Sequence, residues 1–171
     1  PWLSWSYVEN NVDKLIAAGE QHVALTLSAM FLSIAIAVPL AVIVRTWRPL
    51  ETPALVFTGV LYTIPSLAMI TALWPVFGLS ALTVIIALAL YALLIILRNT
   101  LVGLEGVSET AIDSATGMGI SRRGILWKVE VPLALPAILA GIRLATVSTV
   151  GLVTIGALVG FGGYGTLILN G

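Results

Sequence analysis

The distribution of charged residues constrains the fold of this chain more than any other feature. No Asp, Glu, Lys or Arg occurs between Glu51 and Arg98, and none follows Arg143. A charge at the centre of a bilayer costs roughly 2.5–3.5 kcal/mol even on insertion-based scales, so long uncharged apolar segments are typical of spanning helices. Eight charged residues are instead concentrated in residues 98–132. We expect this polar segment to contact something soluble.

Composition supports a membrane protein and excludes several kinds of chemistry. Of the 171 residues, 59% are hydrophobic and 9% are charged, against about 25% charged in soluble proteins. The absence of cysteine excludes disulfides and thiol catalysis, and we expect no bound metal and no bound cofactor. The phosphate-binding pattern G-x-x-x-x-G-K-[ST] is also absent, so we expect no enzymatic ATP hydrolysis by this chain. The lone histidine, His22, is predicted to be an interfacial residue.

Four apolar segments are long enough to cross about 30 Å of hydrocarbon as helices. They cover approximately residues 23–44, 54–73, 81–97 and 135–159, and a fifth segment begins near Thr166. The predicted fold class is therefore an all-α membrane protein with about five transmembrane helices, the last of them apparently truncated. Residues 1–21 are predicted to form a separate extracytoplasmic segment before a membrane domain that covers residues 22–171.

The bias of Lys and Arg between the two sides predicts the orientation. Arg45 and Arg48 follow the first span, and four further basic residues follow the third, whereas the other side has only Lys14. The loop of residues 98–135 is therefore predicted to be cytoplasmic, with the N-terminus outside. Arg143 is predicted to be a snorkelling or protein-facing cation near the inner end of the fourth span.

Prolines and small residues modify the predicted spans. Pro39 and Pro65 lie within the first and second spans, where each removes a backbone donor. Thr63 and Ser66 flank Pro65, and both ordinary bending and a broken helix lining a pathway remain open there. Small residues recur at helical spacing from Gly141 to residue 157 and favour close helix packing over a conduit wall.

The polar segment is predicted to contain two short helices. The pattern Thr110-x-x-Asp113 resembles a capping box, so a helix is expected to begin near Thr110. Gly117 and Gly119 are expected to end that helix, and Ser121 to cap a second helix that stops at Pro132. Short helices are marginal alone and need a supporting surface, which is either a partner protein or the bilayer.

The same segment resembles the EAA motif of ABC-importer permease subunits, which reads E-A-A, three residues, G, nine residues, I-x-L-P. Asp113, Ser114 and Ala115 correspond to E-A-A, Gly119 to the glycine, and the Val129–Pro132 tetrapeptide to I-x-L-P. The departures are Asp for Glu, Ser for Ala, and Val for Ile and Leu. They keep the acidic, small and turn-forming characters of the motif.

Several further segments are similar to the osmoprotectant branch of these permeases, which imports glycine betaine, carnitine and choline. The likeness covers the chain from about His22 to its end, and it is carried by residues 62–68, 90–94, 98–100, 132–143 and 160–165. It implies the type I ABC importer (MetI-like) permease fold and a multi-pass protein of a bacterial or archaeal cytoplasmic membrane. Its function would be to form the membrane-spanning part of an ATP-driven osmoprotectant importer.

The resemblance also implies partners and a coupling site. The partners are cytoplasmic ATPase subunits carrying ATP and Mg, an extracytoplasmic solute-binding protein or domain, a second permease that is identical or different, and membrane lipid, with no nucleic acid. The first short helix would be the coupling helix seated in a cleft of the ATPase. The ATPase-coupling residues would be Asp113, Ser114, Ala115, Gly117, Gly119, Arg122, Arg123 and Pro132. Arg122 and Arg123 pair with acidic groups of the ATPase or remain solvated.

The solute is not identified by the sequence itself. A quaternary ammonium favours aromatic faces through cation–π attraction, so the predicted substrate path contains Tyr62, Thr63, Pro65, Trp74 and Tyr91. A wide conduit without a dedicated site is the alternative.

Three other functions remain open. A methionine-type amino-acid importer would share the coupling motif, and a membrane scaffold would not transport. A secondary transporter or channel is disfavoured because the four spans contain no Asp, Glu or His.

Overall fold

The computed structural model describes residues 5–170, and within that range it contains helices and no strand. The α-helices in chain order are α1 Trp5–Asn10, α2 Val12–Thr46, α3 Glu51–Thr63, α4 Ser66–Phe77, α5 Ala81–Glu105, α6 Glu109–Gly117, α7 Arg122–Ile125, α8 Val131–Val153 and α9 Tyr164–Asn170. Two 3-10 helices, Arg48–Leu50 and Thr154–Val159, and a π-helix, Leu126–Glu130, lie between them. The predicted all-α class is confirmed.

Three long helices, α2, α5 and α8, form the centre of the protein. Each is long and apolar enough to cross a membrane, and the pair α3–α4 adds a fourth span if it is counted as one. Small side chains such as Ala37, Ala41 and Ala145 are completely buried where the three helices meet. A Cβ at Gly141 would lie 2.5 Å from the Cβ of Asn99, so α5 and α8 approach closely. Such close packing stabilises helix association in lipid, where the hydrophobic effect does not drive apolar helix surfaces together.

The first span differs from its predicted bounds. Helix α2 begins at Val12 rather than near residue 23 and runs for 35 residues, about 52 Å. The part of the 1–21 segment that the structure describes is therefore mostly helical and continuous with the first span. Residues 1–4 of that segment lie outside the described residues.

The second span is broken, so of the two geometries left open at Pro65 the structure has the broken helix. Helices α3 and α4 meet at Ile64 and Pro65 with a bend of 100°. Pro65 has no N–H, and the residue before a proline avoids helical angles, as Ile64 does with φ −67° and ψ 129°. The hydroxyl of Tyr91 on α5 donates to the Ile64 carbonyl that the break leaves free. The geometry is that of a broken helix and not of a gentle bend.

The helix that contains the fourth span begins before the predicted span. The second short helix does not stop at Pro132, because α7, the π-helix and α8 form one continuous helical segment from Arg122 to Val159. Pro132 lies at the start of α8, directly after the π-helix, whose altered hydrogen-bond spacing accommodates a residue without an N–H. Arg143 is exposed on α8, about three turns from Val131.

A glycine-rich turn joins the end of this segment to α9. The amide of Gly163, at φ +54°, donates to Gln21 Oε1 over 2.8 Å. His22 is buried beside it and its Nε2 lies 3.0 Å from the Val150 carbonyl, so this histidine connects α2 to α8 and is not exposed at an interface. Helix α9 begins at Tyr164, two residues before the predicted fifth segment.

Candidate functional site

Helix α6 is the element that carries the predicted coupling residues, and it begins two residues earlier than predicted. The N-cap is Ser108, whose Oγ accepts the amide of Ala111 over 3.4 Å. Glu109 follows in the first turn, where a carboxylate is favoured by the helix dipole. The assignment of Thr110 to the cap was wrong, since Thr110 is helical and its carbonyl accepts from the Ser114 hydroxyl.

The end of α6 has the hydrogen bonds of a Schellman motif. The amide of Ile120 donates to Ala115 O over 3.1 Å, and the amide of Gly119 donates to Thr116 O over 2.9 Å. Gly119 has φ +78°, a left-handed conformation that glycine adopts without strain. Gly119 is therefore the turn residue, whereas Gly117 is simply the last residue of the helix.

The two faces of α6 have different roles. Ala115 is the one buried residue among the predicted coupling residues, and α6 as a whole contacts α7 and the π-helix. Asp113 and Ser114, the two residues before Ala115, are exposed. Met118, which follows the helix, is 73% exposed and does not continue the buried face. The structure thus leaves an exposed surface that combines a carboxylate, a hydroxyl and a thioether.

Helix α7 has the predicted cap. The Oγ of Ser121 accepts the amide of Gly124 over 3.3 Å, which confirms the cap assignment. Arg122 and Arg123 are exposed at the start of this helix. Pro132 is also exposed, but it lies beyond the π-helix, on α8.

An ion pair that the sequence reasoning missed joins the loop to the first span. Arg45 Nη2 donates to Glu130 Oε1 over 2.6 Å, and the two side chains are only 19% and 10% exposed. Glu130 is the last residue of the π-helix, a local geometry that is frequent at functional positions. The position of Glu130 could have indicated such a pair, because a carboxylate just before an apolar span needs a cationic partner.

Two neighbouring cavities lie between this loop and the end of α2. The larger, of about 700 Å³, is lined by four arginines, by Glu130, by two threonines and by four aliphatic residues, and we call it the arginine cavity. Its lining residues are Arg45, Thr46, Arg48, Ile112, Thr116, Ile120, Arg122, Arg123, Ile125, Leu126 and Glu130. The smaller, of about 380 Å³, shares Arg45 and Arg48 and adds three carboxylates, Glu105, Glu109 and Asp113.

The predicted substrate-path residues are only partly brought together. Tyr62 and Tyr91 pack edge to face with ring centroids 6.0 Å apart, directly beside the break at Pro65. The hydroxyl of Thr63 donates to its own helix, to Val60 O. Trp74 is half exposed, about two turns along α4 from the break. Neither of the two cavities is lined by any of these five residues.

No group of His, Cys, Asp or Glu side chains within residues 5–170 is arranged to hold a metal ion.

Comparison with known proteins gives a consistent result. Residues 29–171 match the family described as binding-protein-dependent transport system inner membrane component. The carnitine transport permease protein OpuCB of Listeria monocytogenes is 37% identical over 97% of this chain and 76% of its own length. The glycine betaine/carnitine/choline transport system permease protein OpuCD of Bacillus subtilis is 36% identical over 97% of this chain and 72% of its own. An inward-facing structure of the MetNI methionine ABC transporter superposes with a TM-score of 0.80, over 96% of this chain and 81% of that one, at 22% identity.

Proposed function

Because this chain belongs to the family of binding-protein-dependent transport system inner membrane components, we propose that it is the permease subunit of an ATP-driven osmoprotectant importer. Its solutes are proposed to be quaternary ammonium compounds such as glycine betaine, carnitine and choline. Relatives named for these solutes match nearly the whole chain at 33–38% identity, which supports this solute class over methionine. The methionine transporter shares the fold, and at 22% identity the likeness extends no further.

The observation that carries the proposal is the geometry of α6. A nine-residue helix, capped at both ends, presents an exposed surface around Asp113, Ser114 and Met118. A short helix with both ends satisfied is a rigid element suited to a complementary cleft. We propose that the cleft belongs to an ATPase subunit that binds ATP and Mg. The loop then faces the cytoplasm of a bacterial inner membrane, and the N-terminus lies outside.

The connections of α6 supply a route for force. Helix α6 contacts α7 and the π-helix, and those elements continue without interruption into α8. The Arg45–Glu130 ion pair fixes the same segment to the end of α2. A displacement of α6 by the ATPase is therefore delivered to two spans at once, which is what a two-state rocking transition needs.

The break between α3 and α4 is the proposed place where solute passes. Broken helices that line a cavity are the usual sites of substrate contact in membrane transporters. Tyr62 exposes its ring beside the break, where it can attract a quaternary ammonium group. A solute-binding protein is proposed to deliver the solute from outside, and a second permease copy, identical or not, to complete the conduit.

The docking assignment is tested by two substitutions in α6. Gly119→Trp places a bulky side chain at the turn, and Asp113→Arg reverses the charge of the exposed surface. Both are expected to abolish ATPase co-purification and solute uptake, while the permease still inserts into the membrane. Gly119→Ala controls for backbone strain at Gly119, and Glu20→Arg repeats the charge reversal on an exposed residue near the other end of α2.

Retention of the ATPase by both variants would refute the docking role of α6. Uptake is measured with glycine betaine, choline, carnitine and methionine, with ATP kept high and ion gradients collapsed. Loss of uptake on collapse of the gradients would identify a secondary transporter instead, and uptake of methionine alone would move the chain to the amino-acid importers.

A further inference from the structure

The arginine cavity has a charge that the described residues do not neutralise. Four guanidinium groups, those of Arg45, Arg48, Arg122 and Arg123, line it together with a single carboxylate. That carboxylate, on Glu130, is already paired with Arg45. The three carboxylates of the smaller cavity lie beside Arg45 and Arg48, which line both cavities, so the charge left unbalanced is that of Arg122 and Arg123. Such a surplus in a concave space attracts an anion.

One donor in this cavity is both buried and unpartnered. The Nε of Arg45 is inaccessible to solvent and has no hydrogen-bond partner among the described residues. A buried donor without a partner costs about 1–3 kcal/mol, more when the group is charged. Because this Nε is sealed from solvent, a ligand in the cavity would bind the exposed guanidinium groups of Arg48, Arg122 and Arg123 instead.

The rest of the lining restricts the kind of anion. Four of the cavity's lining residues are aliphatic, namely Ile112, Ile120, Ile125 and Leu126. A lining that is cationic in one part and aliphatic in another suits an amphiphile better than a free inorganic ion. Guanidinium groups bind phosphate through paired N–H donors, so a phosphate is the anionic group that fits.

The position of the cavity favours a ligand that comes from the bilayer. Arg45 and Arg48 flank the end of α2, where the apolar part of the first span stops. Trp47, between them, is 61% exposed, and tryptophan is enriched at the level of lipid headgroups. By the positive-inside rule this is the side of the membrane whose lipid surface is anionic.

We propose that the arginine cavity binds the phosphate of an anionic phospholipid, with Arg48, Arg122 and Arg123 around the phosphate and the aliphatic residues around the glycerol and proximal acyl carbons. The bound lipid wedges between α6 and the end of α2. It therefore supports the loop from the membrane side, and this role is separate from the docking of α6 to an ATPase.

The test measures lipid retention by the assembled transporter. The complex is reconstituted in nanodiscs with equal amounts of phosphatidylglycerol and phosphatidylcholine, extracted in mild detergent and weighed by native mass spectrometry. The wild-type complex is expected to retain phosphatidylglycerol preferentially. Arg48→Gln and Arg122→Gln are each expected to lower that retention about fivefold, because a basic residue at a membrane surface contributes about 1 kcal/mol. Lys128→Gln is the matched control, since Lys128 is an exposed cation of the same loop outside the cavity.

Three results would overturn the proposal. Equal losses in Lys128→Gln and Arg48→Gln would reveal only a general effect of surface charge. Stabilisation of the wild-type complex by inorganic phosphate, in nanodiscs of phosphatidylcholine alone, to the same extent as by phosphatidylglycerol would assign the site to a free anion. If the Arg48→Gln permease no longer retained the ATPase but retained lipid as the wild type does, an acidic side chain of the ATPase would be the occupant of the cavity. Equal thermal unfolding midpoints for the variants exclude misfolding as the cause of a loss.

Discussion

The ion pair between Arg45 and Glu130 gives the sharpest energetic prediction. Its atoms are 2.6 Å apart and its side chains are 19% and 10% exposed, so neither charge can be rehydrated fully when the other is removed. Removing one partner of a buried pair costs about 3–5 kcal/mol. Because about a fifth of the Arg45 side chain still reaches solvent, we expect the lower end, about 3 kcal/mol, for Arg45→Met and for Glu130→Met.

The double variant separates pairing from packing. Two methionines keep most of the volume and leave no unpaired charge, so the double change is expected to cost no more than either single change. The double-mutant cycle then returns a coupling energy of about 3 kcal/mol, at the upper end of those measured for residues in contact. Additive costs, about 6 kcal/mol in the double variant, would refute the argument that the buried charges depend on each other.

The assay is equilibrium unfolding of the purified permease in uncharged micelles by titration with urea, followed through tryptophan fluorescence. Neither the micelles nor the denaturant is anionic, so no ligand bound in the arginine cavity contributes to the cycle. Glu20→Met serves as the control, because Glu20 is exposed and its replacement should change the free energy of unfolding by less than about 0.5 kcal/mol.

Three further changes test local features of the backbone. Gly119→Ala is expected to lower the free energy of unfolding by about 1 kcal/mol, because alanine is strained at the left-handed φ of Gly119. The unfolding midpoint should fall slightly, and the ATPase should still co-purify. Tyr91→Phe removes the donor to the Ile64 carbonyl at the break, and the same titration should show a loss of about 1 kcal/mol. Gly163→Ala should cost about 3 kcal/mol, because its Cβ would lie 2.7 Å from the Cα of His22 in addition to the backbone strain at φ +54°.

The open glycine Gly151 provides the reference for these losses. It lies within α8, and a methyl group added at this position would have no neighbouring atom within 4 Å. Gly151→Ala is therefore expected to be neutral or slightly stabilising. An unchanged midpoint for Gly163→Ala would contradict the close approach of the glycine-rich turn to α2. An unchanged midpoint for Tyr91→Phe would mean that the Ile64 carbonyl finds another donor.

The break at Pro65 illustrates what local sequence leaves undecided. Proline inside an apolar segment is compatible with a kinked continuous helix and with two separate helices, because both remove the same backbone hydrogen bond. The 100° geometry also involves the hydroxyl of Tyr91, which is 27 residues away in the chain and satisfies the freed carbonyl. Sequence reasoning identified the position of the discontinuity, but the contact across helices was outside its reach.

The start of α6 was missed for a different reason. Ser108 and Thr110 both have the hydroxyl that an N-cap needs, so the cap chemistry alone does not choose between them. Val107 is buried directly before Ser108, and Ile112 lies four residues after that cap, which are the positions of a hydrophobic staple. A helix capped by Thr110 would have placed Glu109 in the position of the apolar residue. The staple pattern could have found the correct cap. Ser121 was recognisable because no neighbouring residue has a hydroxyl, whereas the choice between Gly117 and Gly119 required the positive φ of Gly119.

The continuity of α7 with α8 matters most for the proposed mechanism, and it too depends on more than one residue. Pro132 is equally suited to end one helix or to begin another, and the sequence reasoning chose the first. The π-helix that precedes it carries the chain into α8 without a loop, while Glu130 within that π-helix holds Arg45 of α2. A flexible loop at this point would let α6 move without moving the spans. The observed helical link, fixed to α2 by a nearly buried ion pair, removes that freedom from Arg122 onwards, so an ATPase that moves α6 and α7 as a unit would move α2 and α8 together.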